Sequence, residues 1–150
     1  MHKCLIELAV KPYWGQCWPE VLIKLDEVIL HDGPLTEVKN FKIEPFLTRG
    51  EHTITVELFN KTDANTGENF DQAVEITGVT FENIGTERFV WAGKYTPKYP
   101  EPWASEQTGP LPLVLTNSTV MGWNGRWELE FTTPIFTWIH KLEMLGWIYE

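Results

Sequence analysis

Residues 53–59 read Thr-Ile-Thr-Val-Glu-Leu-Phe, with Ile54, Val56 and Leu58 on one side of an extended chain and Thr53, Thr55 and Glu57 on the other. Successive side chains of a strand point to opposite faces, so this alternation predicts a strand with one buried face. The same period recurs along the chain. Val21, Ile23 and Leu25 oppose Leu22, Lys24 and Asp26, and Val38, Phe41 and Ile43 follow a turn at Asp32-Gly33-Pro34. Val74, Ile76, Val79 and Phe81 define a strand over residues 72–81 whose phase slips at Gly78, as a bulge would make it. Cys4 to Val10 alternates more weakly, and strand character is read again at Arg88 to Trp91.

Two further segments complete the pattern. Val120 to Trp123 and Trp127 to Phe131 flank Asn124-Gly125, the preferred two-residue hairpin connection, which predicts that they pair with each other. In residues 134–150, Ile135, Ile139 and Leu142 fit a helical stripe while Phe136, Trp138, His140 and Leu142 fit a strand; the β-branched and aromatic content favours strand. About eight to ten short strands separated by turn residues predict an all-β chain, an antiparallel β-sandwich of jelly-roll-like type. With 150 residues it reads as one domain, 1–150.

The charge balance narrows the partners. Lys+Arg 12 against Asp+Glu 21 gives a formal net charge of -9, and the basic residues are scattered singly. Binding to nucleic acid is driven by clustered cations that displace counter-ions from phosphates, so nucleic acid is not expected, and anionic membrane surfaces are disfavoured in the same way. The alternating start at Met1-His2-Lys3-Cys4 does not read as a secretion leader, and no run of ~20 apolar residues is available to span a bilayer. The two cysteines, Cys4 and Cys17, are read as buried thiols, with a single bridge left open.

Aromatic residues are the unusual component: eight Trp, eight Phe and four Tyr. Trp91, Trp127 and Trp138 fall within alternating segments and are expected in the core. Trp14, Trp18, Tyr99 and Trp103 do not. They lie in proline-bounded stretches, 12–19 and the irregular excursion 96–112 with its five prolines. Rings in such places either cap the open end of a sandwich core or form a platform for a sugar face or a neighbouring subunit.

The polar loop from Asn60 to Asp71 offers Asn60, Asp63, Asn65 and Asp71, with Glu68 and Asn69, as oxygen donors of the kind a calcium ion takes in sets of ~6–8. The same residue types also serve ordinary turns, because Asn, Asp and Gly accept positive φ and bond their own backbone. For catalysis there is little. His2, His31, His52 and His140 adjoin no nucleophile motif, and Ser105 and Ser118 sit outside any Gly-x-Ser-x-Gly elbow, so the chain is read as non-enzymatic.

Residues 50–60, Gly-Glu-His-Thr-Ile-Thr-Val-Glu-Leu-Phe-Asn, followed by Asp71-Gln72-Ala73-Val74-Glu75-Ile76-Thr77-Gly78-Val79, resemble the calcium-dependent carbohydrate-binding modules of xylan-degrading enzymes over about residues 20–85. The resemblance implies a small β-sandwich in which Asn60 and Asp71 adjoin a calcium ion that touches sugar hydroxyls. Lys61 stands where those modules have Asp, and Gln72-Ala73 where they have Arg-Asn. With Asn60-Lys61-Thr62-Asp63 and Asp71 to Ile76 on a short chain without a leader, the sequence is also similar to small virion proteins of tailed bacteriophages. That likeness implies a capsid decoration or tail component, made in the host cytoplasm and located in the virion, whose partners are capsid or tail subunits. The remaining readings are a calcium-dependent glycan-binding module and a cytosolic adaptor for a protein partner.

Overall fold

A computed structural model describes residues 2–101 and 103–143. In chain order the strands are β1 (His2–Lys3), β2 (Ile6–Tyr13), β3 (Glu20–Leu25), β4 (Val28–Pro34), β5 (Lys39–Ile43), β6 (Phe46–Leu47), β7 (Gly50–Leu58), β8 (Ala73–Phe81) and β9 (Ile84–Gly85), followed by helix α1 (Glu87–Trp91). The chain continues through β10 (Lys94–Pro97), β11 (Leu115–Thr116), β12 (Val120–Met121) and β13 (Gly125–Thr133) to helix α2 (Ile135–Leu142). Every strand pairing among the described residues is antiparallel.

One sheet runs β11-β10-β13-β7-β3-β4; the facing sheet runs β12-β8-β2-β5, with β9 hairpinned onto β8. The two are packed against each other as an all-β sandwich. Its core is the set the alternation selects: Ile6, Leu8 and Val10; Val21, Ile23 and Leu25; Ile54, Val56 and Leu58; Val74, Ile76, Val79 and Phe81; and Trp127, Leu129 and Phe131 are all buried. The slip at Gly78 is a bulge. Ala9 of β2 faces Gly78 while Val10 faces Ile76, so Thr77 is the extra residue on β8.

Three local expectations are corrected. Residues 88–91 form helix and not strand: Thr86 caps α1 by accepting the Arg88 amide at 3.3 Å, and Phe89 and Val90 turn inward. Trp91 is left outside the core, 45% exposed. Residues 135–142 also form helix, burying Ile135 and Ile139 as the helical stripe requires, while Phe136 faces out. The rest of the expected strand, residues 144–150, lies outside the described residues.

The third correction concerns Asn124-Gly125, which is not a hairpin turn. Here β12 pairs with β8 and β13 with β7 and β10, so the chain crosses between sheets. Tertiary contacts decide this. The Asn124 carboxamide accepts from the Lys61 amide and donates to the Lys61 carbonyl, both at 2.8 Å, while Gly125 (φ 154) packs so closely on Thr96 that a β-carbon would collide with the Thr96 carbonyl oxygen.

Candidate functional site

The register places the β2–β3, β7–β8, β10–β11 and β12–β13 connections at one end of the sandwich: Tyr13 pairs with Ala73, Leu58 with both Val21 and Gly125, and Pro97 with Gly125. All the loop residues singled out in the sequence lie in these connections.

At the centre is Lys61, buried at 4% exposure. Its ammonium donates to Asp71 Oδ1 and, at 2.6 Å, to the Gly122 carbonyl, and lies 5.2 Å from the centroid of the Trp123 ring. A buried charge is tolerated only when paired and hydrogen-bonded, and Lys61 has both partners and a ring face.

The amides around it are engaged as well. Asn60 accepts from the Glu20 amide at 2.8 Å and donates to the Trp18 carbonyl at 3.1 Å. Asn65 accepts from the Thr62 amide and hydroxyl, at 2.7 and 3.0 Å, and donates to the Gly15 carbonyl at 2.7 Å. Three carboxamides, from Asn60, Asn65 and Gln72, point at the Cys17 sulfur at 3.8, 3.3 and 3.1 Å. Gly15 runs so close to this support that a β-carbon would collide with Gln72 N and Asn65 O.

Asn60, Asn65 and Asp71 therefore tie the loops to one another. Among the described residues no group of three or more His, Cys, Asp or Glu is arranged to hold a metal ion. Both cysteines are free thiols, Cys4 buried as expected and Cys17 exposed against expectation.

The fourth proposed calcium ligand is Asp63. Together with Thr66 it forms one margin of a groove of about 600 Å³ whose walls are Tyr95, Tyr99, Trp103 and Trp123, with Pro97, Pro100 and Leu115 among the apolar residues between them. Tyr99 and Trp103 stack with centroids 6.0 Å apart and planes 27° apart, and Trp103 remains 45% exposed. Tyr99 is fixed by donating its hydroxyl to the Pro112 carbonyl at 2.6 Å. Tyr95 forms the floor; its hydroxyl donates to the Trp123 carbonyl and accepts from the Trp123 amide at 3.1 Å. Burial is the main cause that pushes the Tyr95 phenol up to about 12, so it stays a neutral donor at physiological pH.

Thus Tyr99 and Trp103 share one groove, and Trp14 and Trp18 do not line it. Trp14 meets Phe70 edge-on at 6.1 Å and is 46% exposed; Trp18 is 37% exposed. Both lie in the β2–β3 connection at the same loop-bearing end. Trp123 and Tyr95 belong to the groove without having been selected in the sequence: Trp123 falls in the segment 120–123 that reads as a strand, and Tyr95 lies within β10.

At the opposite end a smaller opening of about 250 Å³ lies between Cys4, Glu82 and Pro134. There Phe81 and Phe131 of the sheets meet Phe89 of α1 and Trp138 of α2, at ring separations of 4.9–6.2 Å. Among the described residues no helix is long and apolar enough to cross a membrane. No family model matches this chain, and no curated protein or solved structure matches it either.

Proposed function

We propose that the chain is a non-enzymatic docking module whose loop-bearing end binds a protein subunit of a larger assembly. The observation that carries this reading is the groove beside Trp103: about 600 Å³ of largely apolar space lined by Tyr95, Tyr99, Trp103 and Trp123, with Trp103 left 45% exposed. Burying an exposed Trp against a partner supplies binding energy on the scale of a hot spot, ~2 kcal/mol or more, and a fixed ring loses little conformational freedom on binding. The setting we propose is a bacteriophage particle, with the chain as a capsid decoration or tail component; its support is the likeness carried by residues 60–63 and 71–76.

A second reading is favoured by the Tyr99–Trp103 stack, whose exposed face suits a sugar ring. It would place a glycan in the groove without calcium, since Lys61 supplies the cation at Asp71. In purified particles the chain should appear at a copy number set by the particle's symmetry, and Trp103→Ala should lower incorporation several-fold while leaving the fold intact. Unchanged incorporation overturns the docking reading. Retention on an immobilised polysaccharide that is lost in Trp103→Ala would establish the glycan reading in its place.

A further inference from the structure

We infer that the docking segment presents an arginine to this groove, its guanidinium against the exposed aromatic faces and within reach of Asp63. The inference rests on the docking reading above and specifies the chemistry of the partner.

Charge complementarity carries it. Of the residues lining the groove, Asp63 is the one carboxylate, and none is basic. Asp63 is exposed and takes part in none of the ion pairs among the described residues. Lys61, which borders the groove at Trp123, is already committed to Asp71. Lys98 is next to Pro97 in the chain but is not a lining residue. The groove therefore combines one unpaired carboxylate with a wall of π-faces, in a chain of net charge -9.

Each component favours the same guest. Aromatic faces attract cations, and a guanidinium does so best because it is flat, weakly hydrated and able to stack while its N–H groups remain free for a carboxylate. An ammonium would be more strongly hydrated and gives up more on entering an apolar groove. An acidic or phosphorylated segment would be repelled by Asp63 and by the overall charge. A purely apolar segment would fill the walls and leave Asp63 without a counter-charge. The apolar stem of Arg matches the Pro and Leu surface between the rings.

The probe is a labelled peptide, acetyl-Ala-Pro-Pro-Arg-Pro-Leu-Pro-Ala-amide, in which proline keeps the backbone extended. It is titrated into the full chain by fluorescence anisotropy at low ionic strength, alongside the same peptide with Gln in place of Arg. The Arg peptide should bind at least about tenfold more tightly than the Gln peptide, a difference that salt reduces. Asp63→Asn should remove most of that difference and Asp63→Glu should restore it, while Trp103→Ala should weaken both peptides. Equal binding of the two peptides, or no binding of either, overturns the arginine inference. If Trp103→Ala nevertheless lowers particle incorporation, the docking reading stands without it. If incorporation is also unchanged, both fall.

Discussion

The two ends of the sandwich use aromatic residues in opposite ways. At the helical end Phe89 of α1 and Trp138 of α2 pack onto Phe81 and Phe131 of the sheets. At the loop end Trp14, Trp18 and Trp103 stay exposed, and the shape is held by hydrogen bonds from Lys61, Asn60, Asn65 and Asn124 to backbone groups of neighbouring loops. One end is stabilised by apolar burial. The other is organised by directional polar contacts that leave its rings available. A ring's fate is thus set by whether an element covers it, not by its residue type.

The contrast is broken most severely at Phe81, which is fully buried and touches three other rings. Phe81→Ala should destabilise the fold by about 3–5 kcal/mol, a melting-temperature drop of roughly 10 °C or more. Trp103→Ala should stay within about 1 kcal/mol of the parent, as a surface substitution does. Thermal unfolding of both variants is the check; comparable losses would mean that the loop end is part of the core.

Next in size is Lys61→Met, which keeps the stem and removes the charge. It leaves the Gly122 carbonyl without its donor, while the exposed Asp71 can still hydrate, so a loss of about 1–3 kcal/mol is expected. Amide hydrogen exchange should speed up in residues 61–72 and not in β7 or β13. Uniform acceleration would show that the loops and the sheets open together.

How much of this was legible follows the same division. Ile54, Val56 and Leu58, or Val21, Ile23 and Leu25, repeat at the strand period and were readable because burial of one sheet face acts on each strand independently. Residues 135–142 misled because Phe136 and Trp138 have high strand propensity, yet propensity is weaker than the burial of Ile135 and Ile139 on one helical face. Thr86 followed by Glu87 was the missed local signal for α1: a capping hydroxyl with an acidic first turn.

The loop end was legible only in part. Asn124-Gly125 carries a strong hairpin signal, but Asn124 is bound to the Lys61 backbone, 63 residues away, and no local pattern encodes that. For the same reason the partners of Asn60, Asn65 and Asp71, which are Glu20, Gly15 and Lys61, could not be read from the loop's own sequence. Tyr99 and Trp103 were recoverable because prolines fence them; Trp123 was not, since its neighbours alternate like a strand.

The smallest expected effect is a pH response at the helical end. His52 faces acceptors on both ring nitrogens, Asp26 Oδ2 at 2.7 Å and the Thr48 carbonyl at 2.6 Å, and lies beside the Phe131 ring. Burial lowers its proton affinity, but the Asp26 hydrogen bond, the Thr48 carbonyl and the Asp26 charge together outweigh this and raise the imidazole above its ordinary value. A raised value means that the folded state holds the proton more tightly. The resulting stability is complete below the unfolded value of about 6.5 and is lost as pH rises through the folded one. The melting temperature should therefore fall by under about 4 °C on going from pH 6 to pH 8, and His52→Gln should flatten that slope. A parent whose stability rises over this interval would contradict the assignment.

Lys61 has one more consequence. A counter-ion borrowed from solution is subject to mass action: it leaves on dilution, competes with other ions and responds to chelators. A counter-ion carried on the polypeptide has a fixed local concentration wherever the chain travels. The arrangement of the 60–71 loop, and of the Gly122-Trp123 margin beside it, is therefore tied to a cation that the chain itself carries.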